Sequence, residues 1–186
     1  MQLKMYRPAG LPPEDRPVPP GFTLREMVPG EEALWGHVCE GEFSITEPDG
    51  AFAKFMGWDE GMPIRDVFFV CRDGMPVGTA GARLYKGEPY LHYIAVRPEA
   101  RGCGLSYVLV AAVLARHAAY GRSGCYLTTD DFRLPAIKCY LNMGYRPVLW
   151  SDDARERWQK LLTVLSYPPV EAFADDGTPL SPVEPL

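Results

Sequence analysis

Several common site signatures are missing from this chain. Its five cysteines form no C-x-x-C pair and show no Cys/His spacing typical of a zinc site. An odd number of scattered cysteines also disfavours a disulfide framework and favours a reducing compartment. No apolar run approaches the length of a membrane-spanning helix, and the N-terminus lacks the apolar core of a signal peptide. We therefore expect no metal, no membrane association and a cytoplasmic location.

The chain also has no excess of basic residues over acidic ones. The formal net charge is −5, with 19 Lys and Arg against 24 Asp and Glu in 186 residues. This balance disfavours a nucleic-acid-binding surface and is compatible with a cationic amine substrate. The length suits one domain with a substantial core, and a hydrophobic content of 47% is typical of a globular protein.

Proline clusters at both ends of the chain, within residues 7–20 and from residue 167 onward. Such stretches are predicted to be extended arms rather than helices or central strands. We predict a Pro-rich N-terminal arm at 1–20, a single domain at 21–166 and a Pro-rich C-terminal tail at 167–186. Three alternatives stay open for the arms: they lie on the domain, cross to the partner in a homodimer, or are disordered.

Hydrophobic periodicity predicts strands that alternate with helices. The predicted strands are 22–28, 67–71, 77–84, 91–96, 125–129 and 145–150. The predicted helices are 31–40, 52–56, 105–120, 135–142 and 153–165. The Asp73-Gly74 pair indicates a hairpin between the second and third strands. This order of elements predicts an α/β fold with a mixed sheet.

The most informative stretch runs from Val96 to Ser106 and reads V-R-P-E-A-R-G-C-G-L-S. It follows an apolar strand and opens an amphipathic helix, where backbone N–H groups not yet paired in the helix can face an anion. Glycine lets the backbone approach closely, and Arg101 adds a permanent positive charge, so phosphate binding is indicated. A tight turn into a helix is the structural alternative.

Two nucleotide-binding patterns do not fit this stretch. The dinucleotide fingerprint requires a third glycine where this chain has Tyr107. A P-loop requires a Lys-Ser/Thr pair after the second glycine, where this chain has Leu105-Ser106. The stretch is therefore neither a dinucleotide-binding fingerprint nor a P-loop.

A second segment, residues 136–145, reads A-I-K-C-Y-L-N-M-G-Y. With the first, it resembles the GNAT superfamily of acyl-CoA-dependent N-acyltransferases over roughly residues 22–150. That family carries V-x-P-x-x-[Q/R]-x-x-G-x-[G/A] after its fourth strand and A-x-x-x-Y-x-x-x-G-[F/Y] later in the domain. The matching positions are Val96, Pro98, Arg101 and Gly104, then Ala136, Tyr140, Gly144 and Tyr145. Two positions depart from the pattern: Ser106 replaces the final Gly or Ala, and Arg133 replaces an Asn found in many relatives.

The resemblance implies a mixed, mostly antiparallel sheet with a splayed pair of strands and helices on both faces. It implies an N-acetyltransferase that transfers an acetyl group directly from acetyl-CoA to a primary amine of a small molecule, amino acid or peptide. The loop would hold the CoA pyrophosphate, and the preceding strand end would pair with the pantetheine arm and the thioester carbonyl. The implied cofactor contacts are Ile94, Ala95, Val96, Arg101, Gly102, Cys103, Gly104, Leu105, Ser106, Arg133 and Tyr140.

Two residues are candidates for the catalytic steps. Tyr140 matches the family tyrosine that protonates the departing sulfur, and a core aromatic on an amphipathic helix is the alternative. His92 is the candidate general base, because it lies on the strand where many relatives keep an acidic or water-binding group. A lone histidine on a strand is, however, more often structural.

Three carboxylates are candidate contacts for a cationic acceptor: Glu42, Glu47 and Asp130. Solvated surface charges are the alternative for the two glutamates, and Asp130 with Asp131 would equally suit capping of the following helix. Two other functions also stay open. One is transfer from another acyl-CoA or an aminoacyl donor, and the other is a non-catalytic acyl-CoA-binding module.

Overall fold

A computed structural model of the chain describes residues 2–12, 15–56 and 63–186. Pro13 and Glu14, within the predicted N-terminal arm, lie outside the described residues. The chain divides into two compact units. The central unit is Pro13–Arg122, and the terminal unit is Met1–Pro12 with Ser123–Leu186.

The strands are, in chain order, β1 (Leu3–Arg7), β2 (Phe22–Glu26), β3 (Val67–Arg72), β4 (Met75–Tyr85), β5 (Glu88–Val96), β6 (Cys125–Thr129), β7 (Arg146–Val148), β8 (Val170–Phe173) and β9 (Pro179–Val183). The helices are α1 (Glu32–Cys39), α2 (Ala51–Phe55), α3 (Leu105–Ala119), α4 (Leu134–Asn142) and α5 (Ala154–Val164). The periodicity predictions are confirmed for every one of these elements except β1, β8 and β9, which they missed.

In the central unit, β2, β3, β4 and β5 pair in sequence order, and every pair is antiparallel. The predicted hairpin at Asp73-Gly74 is confirmed, because it joins β3 to β4 directly. Helices cover both faces of these strands. Phe69 of β3 belongs to the same buried cluster as Trp35 of α1, whereas the neighbouring Phe68 lies under the Arg116 guanidinium of α3.

In the terminal unit, β1 lies between β6 and β7 and is antiparallel to both. β8 pairs with β7 in parallel and with β9 in antiparallel orientation. The sheet is therefore mixed but mostly antiparallel, which confirms the predicted fold class. Tyr145 and Trp158 are fully buried in this unit.

The prediction that the Pro-rich tail contains no central strand is wrong. β8 lies between β7 and β9, and it starts directly after Pro168 and Pro169, so neither proline interrupts its ladder. β9 does contain Pro179 and Pro182, but it is the last strand in the sheet order. An edge strand tolerates proline because a missing N–H there costs no ladder hydrogen bond.

Strand β1 also lies inside the predicted N-terminal arm. It ends at Arg7, one residue before the first proline of that stretch, so the Pro-rich part itself is not a strand. The domain boundaries after residues 20 and 166 stay predictions. Within the described parts of the chain, no helix has the length and apolar character needed to cross a membrane.

Candidate functional site

Strand β5 is bulged within the stretch that leads to the glycine loop. Its register against β4 shifts between Thr79 and Gly81, so Tyr93 and Ile94 together lie opposite Ala80. Tyr93 has a φ of 43°, in the left-handed region that side chains rarely adopt. A bulge leaves one residue out of the ladder. Backbone groups at this point of β5 are therefore not committed to β4.

The loop after β5 turns the chain into α3. A short 3₁₀ turn at Pro98–Ala100 is followed by Arg101–Gly104, and Gly104 is the N-cap of α3 with a φ of 76°. No side chain caps the helix, and its first turn has no acidic residue. Because the first N–H groups of a helix have no intrahelical acceptor, this end of α3 offers donors and a positive dipole to an anion. The residues fit a phosphate group.

Arg101 is the cation of this loop, and its side chain is held at two points. Its Nε donates to the Val96 carbonyl at 3.0 Å, and its Nη2 donates to Oε1 of Glu42 at 2.7 Å. The side chain of Arg101 is 53% exposed and that of Glu42 is 25% exposed. The ion pair therefore joins the segment after α1 to the glycine loop at the protein surface.

Arg97 makes a second connection between the same two segments. Its Nη1 donates to the His37 carbonyl in α1 at 2.6 Å, and its Nε donates to Glu99 at 2.6 Å. The 3₁₀ turn begins directly after Arg97, so two arginines four residues apart contact the end of α1 and the turn that follows it. The start of the loop is thereby fixed against α1.

An aromatic cluster surrounds the bulge on the side of α1 and α2. It consists of Trp35, Phe43, Phe52, Phe55 and Tyr93. The Tyr93 ring contacts those of Phe43, Trp35 and Phe55 edge-on, with centroids 4.9, 5.8 and 5.9 Å apart. Trp35 is fully buried, and the other four members are half-buried. The bulge thus has an apolar, aromatic neighbourhood.

His92 lies next to the bulge, and its ring is hydrogen-bonded to the side chain of Arg83. Nη1 of the buried Arg83 lies 2.9 Å from its Nε2. Since a guanidinium only donates, Nε2 accepts this bond and the ring proton is assigned to Nδ1. Burial, together with the positive charge of Arg83, lowers the pKa of His92 from 6.5 to about 3. The ring is therefore neutral and a very weak base.

The two glutamates predicted as acceptor contacts differ in their surroundings. Glu42 is the partner of Arg101, whereas Glu47 is exposed in the segment between α1 and α2. The structure brings Glu42 to the loop residues. Glu47 forms no ion pair with another of the described residues.

In the terminal unit, Tyr140 lies on α4 and is 4% exposed. Its ring centroid is 6.0 Å from that of Tyr145, in an edge-on arrangement. Burial raises the pKa of Tyr140, Cys139 raises it further, and Arg133 opposes the shift. The phenol is therefore protonated throughout the neutral range.

Asp130, Asp131 and Arg133 form ion pairs near the start of α4. Asp130 accepts from Nε of Arg133 and from Nε2 of Gln2, both at 3.2 Å. Asp131 accepts from both Nε and Nη2 of Arg157 in α5, and this pairing lowers the pKa of Asp131. Neither aspartate caps α4, whose N-cap is Arg133 without a side-chain hydrogen bond.

Three residues of this site were not identified from the sequence. No sequence pattern identified Tyr93 or Arg83. The bulge at Tyr93 and the contact between Arg83 and His92 both depend on the register in which β4 and β5 pair. Arg97 lies inside the motif at residues 96–106. Its place directly before Pro98, where the loop begins, was the sequence feature that pointed to it.

Among residues 2–12, 15–56 and 63–186, no three His, Cys, Asp or Glu side chains converge as a metal site.

The central unit thus combines a bulged strand with an uncapped helix start whose N-cap is a glycine. The profile of the acetyltransferase (GNAT) family matches residues 35–145. The chain belongs to the GNAT acetyltransferase family.

Individual relatives agree with this assignment. The chain is similar to mycothiol acetyltransferase of Streptomyces avermitilis, with 29% identity over 153 residues that cover 76% of the chain and 49% of that protein. In fold it is similar to a GCN5-related N-acetyltransferase from Sphaerobacter thermophilus, with a TM-score of 0.68, 22% identity and coverage of 78% and 48% of the two chains.

A third similarity is to a structure that contains a ligand. AAC(6')-Iy, in complex with the bisubstrate analogue CoA-S-monomethyl-acetylneamine, has a TM-score of 0.54 and 21% identity, with coverage of 66% of this chain and 89% of that one. The chain spans about half the length of the mycothiol acetyltransferase and of the Sphaerobacter protein.

Proposed function

We propose that this chain is an N-acetyltransferase that transfers an acetyl group from acetyl-CoA to a primary amine of a small molecule, amino acid or peptide. The observation that carries the proposal is the uncapped start of α3, directly after the bulged strand β5. Membership of the GNAT family supports it. The CoA-containing ligand of AAC(6')-Iy supports the choice of donor.

On this proposal, the loop holds the CoA pyrophosphate through backbone N–H groups and the positive end of α3. The proposed pyrophosphate contacts are Arg101, Gly102, Cys103, Gly104, Leu105 and Ser106. Ile94, Ala95 and Val96 contribute backbone groups to the pantetheine arm and the thioester carbonyl. A preorganised donor at that carbonyl is worth about 3 kcal/mol in the transition state. Arg133 is proposed as a further contact of the cofactor.

The reaction balances in two proton transfers. The neutral amine nitrogen attacks the thioester carbon, the C–S bond breaks, and the amine proton is lost as the amide forms. The departing thiolate takes a proton from the hydroxyl of Tyr140. With ordinary pKa values near 10 and 8.5, this transfer would be uphill by about 2 kcal/mol, and burial, which raises the pKa of Tyr140, makes it more unfavourable still. It is completed because the C–S bond has already broken and solvent then re-protonates the phenolate.

The amine must lose a proton, and His92 is a poor acceptor for it. An ammonium has a pKa near 10.4, whereas Nε2 of His92 already accepts from Arg83 and the pKa of the ring is about 3. We propose that His92 orients Arg83 and that a water chain carries the proton. Glu42, Glu47 and Asp130 are proposed to attract the cationic acceptor.

A binding measurement tests the proposal directly. The unfolding midpoint is measured with and without saturating acetyl-CoA, and NADH and ATP serve as controls. A ligand at a hundredfold its Kd adds about 2.7 kcal/mol, which is a rise of roughly 5–10 °C for a chain of this size. A rise with acetyl-CoA alone supports the donor and is followed by a screen of amines. No rise in folded, ligand-free protein contradicts the proposal.

A further inference from the structure

Two buried polar atoms beside the bulge have no hydrogen-bond partner among the described residues. They are Nε1 of Trp35 in α1 and Oγ1 of Thr79 in β4. Both residues are 0% exposed. A buried donor or hydroxyl that makes no hydrogen bond bears the full cost of its lost hydration. Native proteins therefore rarely leave such atoms without a bound water or another ligand.

Strand pairing brings the Thr79 side chain to the face of the sheet that α1 covers. Thr79 lies directly opposite Phe69 of β3 on one side and Ala95 of β5 on the other. Directly opposite residues of antiparallel strands share a face. Phe69 and Ala95 belong to the same buried cluster as Trp35, and α1 packs against both β4 and β5. The Thr79 side chain therefore points into the layer that contains Trp35.

We propose that Trp35 and Thr79 bind a water molecule between α1 and the β4–β5 bulge, and that this water helps to hold the bulge in place. The water accepts a hydrogen bond from the indole N–H and shares another with the Thr79 hydroxyl. It keeps one hydrogen for a backbone carbonyl of the bulge, where the ladder between the two strands is interrupted. These are the about three hydrogen bonds that a buried water typically makes.

Water is the occupant that these two atoms fit best. Both atoms are inaccessible to solvent in the folded chain, so the occupant is a small molecule that is enclosed as the chain folds. Globular proteins hold about one such water per 27 residues, at buried polar groups. The edge-on contacts of the Trp35 ring with Phe52 and Tyr93 offer its N–H at most a weak bond to a ring face. Those contacts also leave Thr79 unpaired.

The position of the water gives it a role at the bulge. Tyr93 has a left-handed φ there, and such a residue needs support from its surroundings. The ring centroids of Trp35 and Tyr93 are 5.8 Å apart, and Thr79 pairs with Ala95, two residues after Tyr93. A water bonded to both side chains ties α1 to β4 next to the strained residue. The water does not depend on the proposed function, and only the use of the bulge by CoA does.

A high-resolution crystal structure of the protein is the first test. We expect a water within hydrogen-bond distance of both Trp35 Nε1 and Thr79 Oγ1. Thr79→Val replaces the hydroxyl with a methyl group of similar size and is expected to lose this water. Thr79→Ser keeps the hydroxyl and is expected to retain it. Thr23→Val, at an exposed strand threonine of the same unit, is the matched control and should also retain it.

The unfolding midpoint separates a hydrated site from a dry one by its sign. With the water bound, Thr79→Val breaks interior hydrogen bonds, and the midpoint is expected to fall by about 4 °C. At a dry site, the same variant would remove an unpaired hydroxyl and the midpoint would rise. Thr23→Val should leave the midpoint within about 1–2 °C of wild type.

Two solution measurements test the role at the bulge. In Thr79→Val, the NMR signal of the Trp35 indole proton is expected to move upfield because its acceptor is lost, while that of Trp158 in the terminal unit stays. Amide exchange with deuterium at residues 92–96 is expected to become faster in Thr79→Val, while exchange in α3 stays as in wild type. Neither measurement needs CoA or an acceptor.

The opposite results overturn the inference. They are a dry gap or a direct hydrogen bond between the Trp35 and Thr79 side chains, or a higher midpoint in Thr79→Val. Unchanged exchange at 92–96 in a Thr79→Val protein that has lost the water overturns the role at the bulge. Wild-type protein that does not bind CoA overturns the proposed function and leaves the water in place, whereas a dry site with CoA binding overturns this inference alone.

Discussion

The rings of Phe43 and Tyr93 meet edge-on with centroids 4.9 Å apart, and both residues have left-handed backbone torsions. Phe43 belongs to the turn after α1, and Tyr93 is at the bulge of β5. Residues held in this region cost free energy and cluster at functional sites. The contact joins two of the residues of the central unit that have a positive φ.

Ser44, the neighbour of Phe43, gives a test of this strain. It is exposed and has a φ of 61°. Ser44→Gly is expected to stabilise the protein by about 0.5–1 kcal/mol, since glycine adopts this φ freely but is more flexible when unfolded. The unfolding midpoint should rise by about 2 °C. Ser123→Gly, at a position without positive φ, is the control and should not raise the midpoint.

Gly104 tests the loop as a binding site. Alanine there is expected to cost about 1–2 kcal/mol, because φ is 76°, and to add a methyl group on the approach to the helix start. Gly121 has a φ of 69° at the other end of α3, and a Cβ at either glycine would meet no atom within 4 Å. Gly121→Ala should therefore cost similar stability.

Calorimetry separates the two variants. CoA affinity should fall about tenfold or more in Gly104→Ala, where the N–H groups of the loop are displaced, and should be unchanged in Gly121→Ala. Equal affinities in both variants would show that the loop is only a turn.

Tyr140 is expected to act on the chemical step and not on binding. Tyr140→Phe should lower kcat for the best amine of a screen about a hundredfold, the range for one general acid, and leave CoA affinity within about twofold of wild type. Because burial raises the pKa of Tyr140, loss of the acid form should not lower the rate until well above pH 10. Tyr145→Phe, which removes a neighbouring buried hydroxyl, is the control.

Retention of full kcat in Tyr140→Phe would remove the acid role. A wild-type protein that binds CoA but acetylates no amine of the screen would favour a non-catalytic acyl-CoA-binding module.

His92 is expected to make stability depend on pH. Its folded pKa of about 3 lies below the ordinary 6.5, so in the range between them the unfolded chain binds the proton and the folded one does not. His92 therefore leaves the free energy of unfolding at its full value above pH 6.5 and lowers it progressively as the pH falls from 6.5 toward 3. The full shift corresponds to roughly 5 kcal/mol, and screening of the partly exposed ring reduces it.

Urea unfolding at pH 7, 6, 5 and 4 measures this loss. His92→Gln keeps an acceptor for Arg83 but does not titrate, so its stability should fall less steeply with decreasing pH. His37→Gln removes an exposed histidine and should retain the wild-type slope. Parallel slopes for wild type and His92→Gln would show that His92 is not the titrating group.

Much of the central unit was predictable because its elements are set by local pattern. The Asp-Gly turn after β3 and the apolar face of α3 are short-range signals, and both elements appear where they were expected. β1, β8 and β9 were missed because they lie in the Pro-rich terminal stretches, where the composition predicted extended arms. Such strands form only when a neighbour supplies the other half of the ladder.

The sequence by itself determined that a glycine loop opens α3 and that Tyr140 lies on the next-to-last helix, since both follow from nearby residues. Only the tertiary structure decided that Arg101 pairs with Glu42, 59 residues away, and that Arg83 holds His92 as a neutral ring. The reason is physical: backbone preference acts over a few residues. The partner of a charged side chain is chosen by packing that brings distant parts of the chain together.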